Sequence, residues 1–206
     1  MPRPSNTEAR RAQIADALIG VMAERGYDGA SIADIATRAG LTPGLVHYHF
    51  QSKLDILLVA LARVVQRHRE RLLEHLAALD GSAAHQVSAF VDFHLGLGKS
   101  ADPEALACWI LLSGEALRQP KVQLEYERAV CDLVELVSTI LRAGIAAGEL
   151  HAEDPVAAAA AIVASIQGYF VLAATARSCI PRGSAARSTL RMAEGLLGAS
   201  LPELAS

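Results

Sequence analysis

The sequence predicts an all-α protein, and three observations lead there. Alanine, the strongest helix former, is in large excess, while aromatic residues are only 4% of the 206. A β-sandwich or barrel would want Val, Thr, Tyr and Phe in alternation, and no stretch reads as a convincing strand. Apolar residues recur at helical spacing between capping residues and Gly or Pro breakers along the whole chain. With 52% hydrophobic and 20% charged residues, the composition excludes a disordered chain and provides for one sizeable core or two small ones.

Each element has a local cause. Ser5-Asn6-Thr7-Glu8 has capping-box spacing and opens a first helix, where Ile14, Ala17, Leu18, Val21 and Met22 share a face; Gly26 ends it. Ser31-Ile32-Ala33-Asp34 is a second box. Its helix carries Ile32, Ile35, Ala36 and Ala39 and stops at Gly40 after barely two turns. Thr42-Pro43 restarts a helix at once, with Thr as N-cap and Pro in the first helical position, and this third helix ends near Phe50. Ser52-Lys53-Leu54-Asp55 is a third box. It opens a helix about 40 Å long, with Leu57, Leu61, Val64, Val65, His68, Leu72, Leu76 and Leu79 as its stripe. Beyond Gly81, Val87, Phe90, Val91, His94 and Leu95 mark one helix, and Asp102-Pro103 opens another through Trp109. Pro120 starts a longer one, with Val130, Leu133, Val134, Val137, Leu141 and Ile145 facing inward, and Gly148 stops it. Asp154-Pro155 opens an alanine-rich helix that Pro181 and Gly183 end. A last helix, about Ser184 to Ser200, carries Leu190, Ala193, Leu196 and Leu197.

The net charge of −3 argues by itself against nucleic acid, but it hides an asymmetry. Residues 1–79 hold 10 basic and 8 acidic side chains, and residues 80–206 hold 9 and 14. Two segments of different electrical character predict two jobs. Cys108, Cys131 and Cys179 are widely spaced, form no C-x-x-C, and read as reduced thiols in a cytosolic core. The N-terminus lacks the apolar run of a signal peptide. Val156 to Ala176 carries no charge and is long enough to cross a bilayer. Its alanines, with Ser165, Gln167, Gly168 and Thr175, read instead as a helix buried in protein, with no membrane partner.

Two short helices joined by a tight glycine turn are a helix-turn-helix signal. The sequence here has Gly26-Tyr27, the run S-I-A-D-I-A from Ser31, A-G-L-T from Ala39, Gly44, H-Y-H-F from His47, Ser52-Lys53 and Leu57-Leu58. This pattern resembles the DNA-binding domain of tetracycline-repressor-type (TetR) transcriptional regulators, in register over residues 9–60 and only in architecture over 80–206. The resemblance implies a three-helix head (1–52), a connecting helix (53–79) and a ligand-sensing and dimerisation domain (80–206). It implies a cytoplasmic, sequence-specific regulator, most often a repressor, released from a palindromic double-stranded DNA operator by a small-molecule effector. It further implies a homodimer through the last two helices, without cofactor or enzymatic activity.

In this motif the second helix of the pair enters the major groove N-terminus first. That helix begins at Thr42, whose hydroxyl and neighbouring free N–H groups suit a phosphate oxygen. Pro43, Gly44 and Leu45 are small or apolar and approach base edges closely, with few side-chain hydrogen bonds to offer. By resemblance His47 and Tyr48 contact bases or phosphates, and Ser31 and Lys53 contact phosphates. His47 stands where family members usually carry Tyr, which puts direct base reading there in doubt. Ser31 and Thr42 are also helix caps, Tyr48 is open to a packing role, Lys53 to that of a solvated charge, and His49 to a structural hydrogen bond or a phosphate contact. Val46, Phe50, Ile35 and Leu41 read as core, and Arg10 and Arg11 as reaching adjoining backbone or minor groove. The H-x-H of His47 and His49 points its rings about 200° apart on a helix, so no metal site is expected.

Residues 80–206 lack G-x-S-x-G, a phosphate loop and H-E-x-x-H, so no catalytic residue is expected. The resemblance implies a ligand cavity among the middle helices. Phe90, Phe93, His94, Trp109, Tyr126, Tyr169 and Phe170 are the aromatic candidates for its lining, with Glu115 and Gln167 as polar groups. Trp109 with Glu115 suits a cation, and the run C-W-I-L-L-S-G-E-A from Cys108 resembles regulators of the betaine-synthesis type. Small residues at Ala157, Ala161, Ala164, Ser165 and Gly168 suit close helix approach in a dimer, with Ile162, Val163 and Ile166 supplying apolar area. The alternative is a helical small-molecule-binding protein or enzyme whose DNA-binding head is vestigial.

Overall fold

The computed structural model describes residues 6–78, 81–97 and 103–203, with side chains in the last stretch from Leu106 onward. Ser5, Leu79 and Asp102, given capping or stripe roles above, lie outside the described residues. Every regular element among the described residues is helical. In order these are α1 (Asn6–Gly29), α2 (Ile32–Ala39), α3 (Pro43–His49), α4 (Lys53–Ala77), α5 (Ala83–Leu95), α6 (Pro103–Ala116), α7 (Pro120–Ala146), α8 (Pro155–Thr175) and α9 (Ser184–Leu197). A 3-10 turn at Arg177–Cys179 precedes α9. The chain forms two compact units. The first holds residues through Arg67 and Glu104–Glu127, and the second holds His68–Pro103 and residues from Arg128 on.

The first unit is built on α1. Ile14, Ala15, Ala17, Leu18, Val21 and Met22 form its buried face, and the helix is broken at Gly26, whose φ of 70° an L side chain rarely adopts. The Ser31 capping box forms in both directions: the Asp34 N–H donates to Ser31 Oγ (3.1 Å), and the Ser31 N–H donates to Asp34 Oδ2 (3.2 Å). Gly40, at φ 64°, ends α2, and the Leu41 N–H folds back to the Ala36 carbonyl (2.9 Å). Thr42 caps α3, with Pro43 at its first position, as the sequence predicts. Ile35, Val46 and Phe50 are buried in the core predicted for them, and Leu41 packs against it. Ile56, Leu57, Ala60, Leu61 and Val64 of α4 complete that core with Cys108, Leu112 and Ala116 of α6. Each large apolar side chain buried here contributes roughly 1.5–3 kcal/mol.

The second unit packs Phe90, Val91 and Phe93 of α5 with Val137 and Leu141 of α7, Ile162, Val163 and Ile166 of α8, and Leu190 and Leu197 of α9. Asp154 caps α8 by accepting from the Val156 and Ala157 N–H groups (2.9 and 3.0 Å). The sequence carries α8 on to Pro181, but the helix ends at Thr175. There the threonine hydroxyl donates to the Val171 carbonyl (2.8 Å) and Ala176 leaves helical backbone. Only one face of α8 is buried in the unit, and Ile162, Val163 and Ile166 lie on it, so they fill this core rather than supplying apolar area to a dimer. Val156, Ala157, Ala160, Ala164, Gly168, Val171 and Leu172 are exposed, as are Ser188, Met192, Gly195 and Leu196 on α9.

Candidate functional site

Helices α2 and α3 meet through a three-residue turn, and α3 turns two different faces outward and inward. Val46 is fully buried, whereas Thr42, Pro43, Gly44, His47 and Tyr48 are exposed and Leu45 is half-buried. Tyr48 is 80% exposed, which removes the packing role left open for it. Its ring touches only the edge of His49 among the described rings, at 5.1 Å. Thr42 Oγ1 accepts from the Leu45 N–H (3.3 Å), leaving the hydroxyl hydrogen for an outside acceptor. Ser31 is exposed, but its hydroxyl donates to the Asp34 carboxylate. That bond, with the Ser31 N–H and the nearby Arg25, holds the Asp34 pKa below its usual value. The exposed charges flanking the pair are matched, Arg25 with Asp34 and Arg38 with Glu24, while the first turn of α3 carries no acid.

Lys53 does more than face solvent. Its Nζ donates to the carbonyls of Tyr27 (2.7 Å) and Ala30 (3.0 Å), just past the break in α1, and lies 4.3 Å from the Tyr27 ring centroid. An ammonium has three donors, so one is left for a phosphate. Tyr27 also hydrogen-bonds the Gln119 side chain, and Gln119 Nε2 donates to Glu115 Oε2 (3.0 Å). Burial raises the Tyr27 pKa, with the Gln119 bond opposing and Glu115 adding. Within the first unit, Tyr27 is thus held by Lys53 at its carbonyl and ring face and by Gln119, in the turn between α6 and α7, at its hydroxyl.

The ligand candidates fall into two groups. In the first unit, Trp109 stacks on Tyr126 with centroids 4.4 Å apart. Burial pushes the Tyr126 hydroxyl pKa up to about 12, against the opposing Ser113 hydrogen bond. In the second unit, the rings of Phe90, Phe93 and Phe170 lie 4.5, 5.2 and 6.2 Å from His94. Gln167 and Tyr169 are half-buried on α8. His94 Nδ1 faces the Phe90 carbonyl at 2.7 Å, and a carbonyl only accepts, so Nδ1 carries the hydrogen. Its Nε2 is then a lone pair and accepts from His68 Nε2 at 3.0 Å. Desolvation first, then the His68 ring, lower the His94 pKa to about 3. The sequence reading missed His75, whose ring lies 5.5 Å from Phe93. The signal was present, because His68 and His75 are seven apart and share a helical face.

Residues 14–60 match the model of bacterial regulatory proteins of the tetR family, and residues 97–194 match the C-terminal domain of AefR-like transcriptional repressors. Together these take in more than two thirds of the chain. The chain belongs to the TetR family. Among curated TetR-family relatives, the HTH-type regulator BetI of Escherichia coli is 28% identical over 176 residues, 84% of this chain and 87% of that protein. BetI of Klebsiella pneumoniae is 29% identical over 139 residues, 65% and 71% of the two chains. A transcriptional regulator from Saccharomonospora viridis, solved in complex with choline, is 27% identical with a TM-score of 0.75 over 92% of this chain and 95% of that one. A TetR regulator from Haloarcula marismortui shares the fold alone: TM-score 0.82, 16% identity, 92% of this chain and 99% of that one.

This TetR-family chain is thus a DNA-binding transcriptional regulator and not an enzyme. Regulators of the family bind operator DNA and small-molecule effectors and dimerise. Helix α8 is long and apolar enough to cross a membrane by length and composition, but Ala158, Ala159, Ile162, Val163 and Ile166 are buried in the second unit. Of the three thiols, Cys108 is buried, and burial raises its pKa to about 11. Cys131 and Cys179 are exposed rather than in the core expected for them.

Proposed function

We propose that this TetR-family regulator is a cytoplasmic, ligand-released repressor that grips a palindromic operator as a homodimer through α8 and α9. The observation that carries it is the outward face of α3. Thr42, Pro43, Gly44, Leu45, His47 and Tyr48 enter the major groove, with Ser31 and Lys53 on the flanking phosphates. The exposed small and apolar residues of α8 and α9 support the dimer, because an uncovered face of this kind needs a partner. Two copies place their α3 helices on successive major-groove turns about 34–36 Å apart, or a multiple of that.

An organic cation is the effector class we favour, held by aromatic faces and a carboxylate. The choline in the Saccharomonospora viridis relative supports this, as do the Trp109–Tyr126 stack and the Glu115 carboxylate of the first unit. Phe90, Phe93, His94, Gln167 and Phe170 of the second unit are the remaining proposed ligand residues. Effector and operator then weaken each other by the same factor, with α4 shifting between two positions. Tyr27, packed under Lys53 at its ring and tied to Gln119 and Glu115 through its hydroxyl, supports a coupling of that kind.

Two measurements test the reading. Light scattering should give about 43 kDa, twice the chain mass of 21.7 kDa. Lys53→Ala should weaken all DNA sequences alike and reduce the salt slope by about 1. A monomer, or wild type and variant binding DNA equally, would contradict it. Calorimetry with choline and putrescine tests the effector class, and the absence of heat from both would remove it.

A further inference from the structure

The first turns of α1 hold both helices of the DNA-reading pair by their C-terminal ends. Arg11 Nη1 donates to the carbonyl of His49, the last residue of α3, and its guanidinium lies 4.1 Å from the Phe50 ring centroid. Gln13 Nε2 donates to the carbonyl of Ala39, the last residue of α2 (2.7 Å). Arg10 Nη1 donates to Gln13 Oε1 (2.8 Å), which fixes the amide so that its nitrogen faces Ala39. The last carbonyls of a helix have no partner within it, and a cation there is favourable to the helix dipole. All three side chains are half-buried, so they are more than solvated charges.

We propose that Arg11 and Gln13 are positioning residues for base recognition. They fix the angle of α3 against α1, and so act on DNA through His47 and Tyr48 rather than through a phosphate. Arg10 serves by orienting Gln13. The inference rests on the DNA-binding reading of α3 and adds the residues that aim it. It also replaces the direct reach to DNA backbone or minor groove that the sequence alone gives Arg10 and Arg11.

The test uses full-length protein and a duplex selected by the wild type from a random pool, with a scrambled duplex as reference. Affinities for both are measured across a salt series, counting only the active fraction found by stoichiometric titration. A substitution that merely unfolds protein lowers that fraction and leaves the ratio of the two affinities unchanged. Arg11→Met should weaken the selected duplex by about tenfold or more, leave the scrambled duplex within about twofold, and keep the salt slope. Gln13→Leu, which changes no charge, should lower the same ratio. A salt slope reduced by about 1 with equal loss on both duplexes would identify Arg11 as a phosphate contact and overturn the proposal. So would an unchanged ratio in both variants. Wild type without preference for any duplex would overturn the DNA reading as well, which separates that failure from a failure confined to the variants.

Discussion

His94 makes the stability of the second unit fall as the pH falls through the imidazole range. Its Nε2 lone pair points at the His68 ring and its Nδ1–H at the Phe90 carbonyl, so a second proton would meet an existing N–H inside an apolar shell. The folded pKa is lowered to about 3 from 6.5, which is the value the unfolded chain recovers. Between those values the unfolded state binds one more proton than the folded state, so stability rises with pH. The contribution is complete above the unfolded pKa and is lost as pH falls toward the folded one. Going from about pH 7.5 to about pH 5.5 should cost about 1.4 kcal/mol for this one group. Asp34, Glu135 and Glu194 are also lowered, by hydrogen bonds chiefly from Ser31, Arg142 and the Leu201 N–H. Their contributions are intact at both pH values, because a carboxylate protonates only below about pH 4.5 in the unfolded chain. Urea unfolding at fixed protomer concentration should show the loss as a lower midpoint with the same slope. His94→Leu keeps an apolar side chain among Phe90, Phe93 and Phe170 and should abolish most of the difference. Equal wild-type stability at the two pH values, or the same loss in His94→Leu, would refute the argument.

Tyr27→Phe keeps the ring beside Lys53 but deletes the hydroxyl that joins Gln119. DNA affinity should stay within about threefold; the emission of Trp109, the single tryptophan, should change on DNA binding in the wild type and not in the variant. Gly26→Ala should destabilise by about 1–3 kcal/mol in thermal melts, because φ 70° with ψ 173° is a backbone region essentially confined to glycine, although nothing beyond its chain neighbours lies within 4 Å of an added Cβ. Leu196→Glu, on the exposed face of α9, should shift the light-scattering mass from about 43 to about 22 kDa and weaken operator binding with it.

The features legible in the sequence share one property: their partners are neighbours in the chain. The Ser31–Asp34 box, the Thr42–Pro43 start and the Gly40 stop each bind within four or five residues, and each forms as read. On α3, Val46 is buried as its core reading expects, and Tyr48, which the resemblance assigns to DNA and the residues alone leave open to packing, is turned out. The contacts that escaped the sequence are long-range and end on backbone carbonyls: Arg11 on His49, Gln13 on Ala39, Lys53 on Tyr27 and Ala30. A carbonyl acceptor is chemically the same at every residue, so nothing in the sequence marks which one a distant side chain will find. The sequence therefore points Arg10, Arg11 and Lys53 at DNA, since their charge is visible in it and their partners are not. His68 and His94 are 26 apart, and only the tertiary fold brings their Nε2 atoms to 3.0 Å. For a DNA-reading head this division has a consequence. On the reading proposed above, the residues that read bases lie on a short, locally encoded helix, whereas the residues that aim that helix are scattered. Altering base preference by changing His47 or Tyr48 alone should then leave the docking angle intact, because that angle is set from α1.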